Sequence, residues 1–180
     1  MDADMIYYVL SGHTLQNDVQ TMIQVFLANR HYTQTEDVTD GEITVKSELK
    51  KGIASAMLYR RGDKTSEWSM EYEEASLTEK EQKRIVKRTI YELLRKETGI
   101  RPQWGLLTGV RPAKLISVLL EEGKTDGDCM KYLTEDYLVQ HIINGFVRIC
   151  TQHAKQHHDA FADFANHLAV YGNTCFCHSL

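Results

Sequence analysis

The hydrophobic period of this chain changes once, near Trp104, and that change restricts the fold more than any single residue does. Before it, short apolar or alternating runs that read as strands are interleaved with stretches of helical period. Beyond it no alternating run appears, and apolar residues recur only at helical spacing. The pattern predicts a sheet-and-helix module followed by a helical segment.

Residues 5–10 form a short apolar run containing two Tyr and a Val, which reads as a buried strand. Ser11-Gly12-His13 turns the chain, with Thr14 as the expected helix N-cap. Leu15, Val19, Met22, Ile23 and Phe26 then place one helical face over residues 15–28. After a polar stretch and an Asp40-Gly41 turn, Ile43, Val45, Ser47 and Leu49 alternate with polar residues as a half-buried strand. Residues 53–59 and 67–73 read as two more strands, joined by a hairpin loop at 60–64. Trp68, Met70 and Tyr72 share one face of the second of these. Thr78 and Glu81 form a capping box that opens a helix through about Thr98. Its buried stripe is Ile85, Val86, Ile90, Leu93 and Leu94, and Gly99 suits the position just past its end. The expected fold over residues 5–98 is α+β, a small, mainly antiparallel sheet with two packed helices in the order β-α-β-β-β-α.

Pro112 at a first helical position opens a helix carrying Leu115, Ile116, Leu119 and Leu120, which Gly123 ends. A short helix from Thr125 carries Cys129, Met130 and Leu133. A longer one is expected along the stripe Val139, Ile142, Ile143, Phe146, Ile149 and Cys150. These make a small three-helix cluster. The expected division is an α/β module over 1–103, a helical segment over 104–158 and an irregular tail over 159–180.

Composition narrows the function classes. A formal charge of −4 gives no global reason to expect nucleic acid as a partner. No run of about 18 apolar residues spans a membrane. The opening Met1-Asp2-Ala3-Asp4 is acidic where a signal peptide is basic, so the expected compartment is the cytoplasm. There, the four Cys read as thiols or metal ligands rather than a disulfide framework. At 180 residues the chain is shorter than the roughly 200 that a (β/α)8 barrel needs.

Chemistry concentrates in three places. The stretch Trp104-Gly105-Leu106-Leu107-Thr108-Gly109-Val110-Arg111-Pro112-Ala113-Lys114 delivers two glycines to a helix N-terminus. Free N–H groups there, with Thr108, Gly109, Arg111 and Lys114, would suit a phosphate or carboxylate. The competing reading makes Gly105 and Gly109 turn glycines, with Trp104 and Leu106 plugging a core. Lys80, Lys83, Arg84, Lys87 and Arg88 share the polar side of one helix, and Arg95, Lys96 and Arg101 follow. That pattern fits either an anion- or RNA-binding face or, with its interspersed Glu, a solvated surface. Finally, His153 and His157 are four apart, with Cys175, Cys177 and His178 beyond, which leaves a zinc-stabilised interaction protein as a third class. Ser11, Ser47, Ser55, Ser69 and the eight His are scattered, so the sequence assembles no nucleophile–base set.

Residues 104–116 read WGLLTGVRPAKLI, preceded by Ile90-Tyr91-Glu92-Leu93-Leu94 and Thr98-Gly99, and followed by Leu119-Leu120-Glu121-Glu122-Gly123. Together these resemble the N-terminal region of the HemZ-type oxygen-independent coproporphyrinogen III oxidases, also called coproporphyrinogen dehydrogenases. The opening strand, the Gly12-His13 turn and the first helix fit the same region. The similarity follows the order of elements over about residues 5–155, with W-G-x-L-T-G-V-R-P-x-K as its specific stretch.

The resemblance implies a radical-SAM family acting on porphyrinogen propionates in haem synthesis. In that family the chemistry resides in a later barrel opening with C-x-x-x-C-x-x-C, whose thiolates hold a [4Fe–4S] cluster that binds S-adenosylmethionine. That motif is absent from this sequence, where Cys175 and Cys177 are the only near candidates. The implied role is a non-catalytic N-terminal accessory domain followed by an atypical tail, with a catalytic barrel as its partner. Cluster and S-adenosylmethionine belong to that barrel. No catalytic residue carries over, and Arg111 and Lys114 become candidate contacts to a carboxylate-bearing substrate.

Overall fold

Five strands make one mixed sheet: β1 (Met5–Ser11), β2 (His31–Gln34), β3 (Ile43–Lys50), β4 (Ile53–Arg60) and β5 (Asp63–Glu71), in the order β2-β1-β3-β4-β5. The structure, a computed structural model, describes residues 5–74, 77–108 and 112–140. The chain divides into two units, Met1–Pro102 and Gln103–Leu180.

In the first unit β1 pairs in parallel with both β2 and β3, whereas β3, β4 and β5 form an antiparallel meander. Antiparallel pairs carry the larger share of the ladder, and the class is α+β as expected. Two features extend that expectation. The strand β2 is an additional edge element, and β1 runs parallel to both of its neighbours. The polar residues of His31–Gln34 carry no hydrophobic signal; main-chain pairing with β1 holds them, while the Tyr32 hydroxyl donates to the Leu27 carbonyl.

Helix α1 (Gln16–Phe26) links β1 to β2 and buries Val19, Met22, Ile23 and Phe26. Tyr8 lies beneath it: its hydroxyl accepts from Gln16 Nε2 (3.0 Å) and donates to Gln20 Oε1 (3.2 Å). Helix α2 (Glu79–Thr98) packs on β3, β4 and β5 and against α1. It buries Val86, Ile90, Leu93 and Leu94, each worth roughly 2 kcal/mol relative to exposure. Phe26 and Tyr91 meet edge to face at 5.4 Å, and Lys87 Nζ reaches Asp18 Oδ1 at 3.0 Å between the helices. Both ends of α2 are built as the sequence predicts. The Thr78 side chain accepts from the Glu81 N–H, Glu81 accepts from the Thr78 N–H, and Gly99 takes a left-handed conformation (φ 72°).

The strand expected to be half-buried is buried on both faces. Val45, Ser47 and Leu49 share the helix-covered face with Tyr8, while Thr44 and Glu48 on the opposite face are also buried. Thr44 sits in register between Tyr7 and Tyr59, and Gly41 presses on the Tyr7 ring, so aromatic side chains and the loop before β3 cover that face locally. The β4–β5 turn is the two-residue Arg61-Gly62, both at positive φ (52° and 88°), a geometry that matches strand twist.

The second unit contains α3 (Pro112–Glu121), α4 (Asp126–Lys131) and one π-helical turn at Tyr132–Asp136. Gly123 ends α3 in a left-handed conformation, and the Lys124 N–H returns to the Leu119 carbonyl (3.0 Å). Thr125 and Asp128 form a capping box for α4. The core is Leu107, Ile116, Leu133 and Val139, with Trp104, Leu115, Leu120, Met130 and Tyr137 packed against it. Val139 was expected on a third helix, and it is instead in a non-helical segment. Leu138 at φ 57° breaks the helical path, and the Val139 N–H bonds the Leu133 carbonyl (3.0 Å). The rest of the expected third helix, residues 142–150, and the tail lie outside the described residues.

Candidate functional site

Within the stretch 104–114, the structure assigns clear jobs to the first residues. The Leu107 N–H bonds the Trp104 carbonyl (2.9 Å) and the Thr108 N–H bonds that of Leu106 (2.9 Å), which winds a tight turn. The Leu106 N–H reaches the Tyr137 carbonyl (2.8 Å), and the Gln140 N–H reaches Gln103 (2.9 Å), so two loops of this unit run backbone to backbone. Gly105 stands at the crossing, at φ 54°, where an added Cβ would overlap the Tyr137 carbonyl oxygen and the Leu138 carbonyl group. Only glycine fits there. Leu106 and Leu107 are buried and Trp104 is half-buried, so this part of the stretch is core and turn.

The four candidate anion contacts divide differently. Thr108 closes the turn, and its Oγ1 is buried without a hydrogen-bond partner. Lys114 is exposed in the first turn of α3. Gly109 and Arg111 lie outside the described residues, as do the candidate metal ligands His153, His157, Cys175 and Cys177. Cys129 is a buried thiol in no disulfide. Among the described residues no group of three or more His, Cys, Asp or Glu is arranged to hold a metal ion.

The structure brings together one constellation that sequence spacing does not reveal. At the carboxyl ends of the neighbouring parallel strands β1 and β3, His13 Nε2 stands 2.9 Å from Ser47 Oγ. The distance is that of a serine–histidine dyad, but the chemistry is not. The Leu15 N–H donates to His13 Nδ1 (3.3 Å), which leaves Nε2 as the protonated nitrogen and the donor to Ser47. Such a ring takes no proton from the hydroxyl, and Ser47 is fully buried. Burial pulls the His13 pKa below the ordinary imidazole value, against an opposing contribution from Ser47.

On the opposite face of the sheet, Ser11 Oγ donates to Glu48 (3.1 Å), and Lys46 and Lys50 each reach its carboxylate at 3.0 Å. Burial alone would raise the Glu48 pKa, but these hydrogen bonds from Lys50, Lys46 and Ser11 hold it below the usual carboxylate value. Both clusters are closed networks in which the polar atoms satisfy one another.

Three cations of the basic stretch are paired in the same way. Lys83 pairs with Glu79 (2.6 Å), Lys87 with Asp18 (3.0 Å) and Arg95 with Glu92 (2.6 Å). An RNA-binding face gains no support from this arrangement, because these cations already have carboxylate partners. Among the described residues, no helix is long and apolar enough to cross a membrane.

Comparison with known proteins bears out the resemblance read from the sequence. The chain is 34% identical over 105 residues to the "Oxygen-independent coproporphyrinogen-III oxidase-like protein HemZ" of Bacillus subtilis (strain 168). The match covers 56% of this chain and 19% of that protein, so the chain spans about a fifth of its relative's length. No family model matches the chain, and no solved structure matches it.

Proposed function

We propose that this chain serves as a non-catalytic, N-terminal accessory domain of a HemZ-like, oxygen-independent coproporphyrinogen III oxidase-type protein acting in porphyrin synthesis in the cytoplasm. The observation that carries the reading is the 34% identity over 105 residues to the B. subtilis protein, confined to 19% of that protein's length. Supporting it, the two polar clusters of the first unit are internally satisfied and Ser47 has no base to activate it. A [4Fe–4S] cluster and S-adenosylmethionine would belong to the barrel with which this domain works, and no chemical step is assigned to residues of this chain.

Within that role, Thr108, Gly109, Arg111 and Lys114 are the residues that would meet a carboxylate of the substrate. The unpartnered Thr108 hydroxyl and the exposed Lys114 ammonium favour this stretch over the paired lysines of α2. Two measurements test the reading. Iron and sulfide reconstitution of the chain, followed by reduction with S-adenosylmethionine present, should yield no 5′-deoxyadenosine; production of it would overturn the non-catalytic role. In a full-length homologue, changing the equivalents of Arg111 and Lys114 to Ala should weaken porphyrinogen binding. Unchanged binding would remove the contact assignment while leaving the accessory role standing.

A further inference from the structure

Helix α1 starts without any of the usual side-chain caps. Thr14, the residue expected to cap it, contributes only its backbone carbonyl, which accepts from the Gln16 N–H (2.9 Å). The side chain that takes a free amide at this end is His13, one turn residue earlier. We propose that His13 is a proton-sensitive latch on the first turn of α1: the neutral ring closes the β1–α1 junction and the imidazolium opens it.

The latch follows from the valence of the ring. Nδ1 accepts from the Leu15 N–H only while it keeps its lone pair, and Nε2–H simultaneously ties the ring to Ser47 on β3. Protonation converts Nδ1 into a donor facing another donor. It also places a positive charge at a helix N-terminus, where the aligned peptide dipoles oppose a cation.

The charged groups around the junction do not offset this. Asp18, in the first turn of α1, is held by Lys87 of α2 with both side chains largely out of solvent (19% and 12% exposed). Lys83 of α2 is paired with Glu79. Lys46 and Glu48, which flank Ser47 on β3, project from the opposite face of the sheet and pair there, with Lys50 as the second cation. Gly12 makes the junction unforgiving, since at φ 75° it packs against the Leu49 carbonyl with no room for a side chain.

The direction of the pH effect is fixed by linkage. A histidine whose pKa is lowered on folding binds fewer protons in the native state, so its stabilisation is complete above the unfolded value of about 6.5 and is lost as pH falls through the folded value.

Nuclear magnetic resonance on the whole chain tests the latch, by following the His13 ring protons and amide-exchange protection together from about pH 8 to about pH 5. Protection of the Leu15 amide and its neighbours in α1 is expected to fall about tenfold or more with the same midpoint as the ring, matching the loss of one closing hydrogen bond. The first turn of α2, closed by Thr78 and Glu81, should be unaffected. His13→Gln keeps an acceptor and a donor on a side chain that does not titrate, so the step should disappear. Ser47→Ala leaves the Nδ1 bond in place, so the step should remain. The proposal is overturned if the ring titrates while Leu15 protection stays flat, if the step persists in His13→Gln, or if the ring stays neutral until the chain unfolds in acid. The first and third outcomes need only the parent chain.

Discussion

In the first unit Gly12 packs closely against the Leu49 carbonyl; in the second Gly105 does the same against Tyr137 and Leu138. The surroundings of these two glycines differ. Gly12 joins a strand and a helix whose apolar faces are already set by periodicity, with Ile6 and Tyr8 on one side and Val19, Met22 and Ile23 on the other. Gly105 lies between two loops whose own backbone hydrogen bonds hold them together, next to a π-helical turn, a leucine at positive φ and a buried hydroxyl without a partner. Side-chain period organises the backbone in the first unit. Backbone contact organises the described part of the second.

Gly105→Ala combines a left-handed conformation with overlap on a neighbouring backbone, and is expected to destabilise the second unit by on the order of 3 kcal/mol. The chain carries two tryptophans, Trp68 in the first unit and Trp104 in the second. Urea unfolding followed by fluorescence in a Trp68→Phe background therefore reads the second unit. Gly123→Ala is the control, because its added Cβ meets nothing within 4 Å; only the conformational cost of about 1 kcal/mol should remain. Equal losses in the two variants would break the claim that backbone contact orders this unit.

Thr78→Ala removes the side-chain acceptor of the α2 capping box while leaving the backbone N–H that Glu81 accepts from, and should cost about 1 kcal/mol, read from Trp68 in a Trp104→Phe background. A smaller effect of opposite sign is expected at Thr44, whose hydroxyl is fully buried and unpartnered. Thr44→Val should be neutral or stabilising by less than about 1 kcal/mol in thermal melts, and a clear loss would mean that the hydroxyl has a bonded role. The smallest effect concerns acid. Glu48 has its pKa lowered in the folded chain, so its contribution is present above the ordinary carboxylate range and is lost as pH falls through the folded value. Glu48→Gln should flatten that part of the stability profile, measured by urea midpoints across acid pH.

Sequence alone was informative where local chemistry decides the outcome. Both termini of α2 were readable, because a Thr-x-x-Glu box and a glycine just past the last turn each satisfy named backbone groups. The β2 strand was not readable, since four mostly exposed residues at a sheet edge gain their order from pairing rather than burial. Nor does a period of two say whether strands run parallel, so the pairing of β1 with β3 depended on topology. The same gap hid the candidate site chemistry. His13 and Ser47 are far apart in sequence and meet only because β1 and β3 are neighbours. In the stretch 104–114, the sequence offers Trp104 and Leu106 as core plugs and Gly105 as a turn glycine, but that Gly105 is required follows from the loop crossing over it.

The strand order has a consequence for how the first unit assembles. The β3–β4–β5 meander is closed by short turns at Lys51-Gly52 and Arg61-Gly62, so its contacts are local and hairpins of this kind form within microseconds. β1 must instead dock between β2 and β3, in parallel with both, and each pairing closes a long loop. β1, with β2 paired only to it, is thus expected to join the meander last. Until it does, β3 shows an unpaired edge bearing Ile43, Val45 and Leu49, and that interval is when a newly made chain is most exposed to sticking to another.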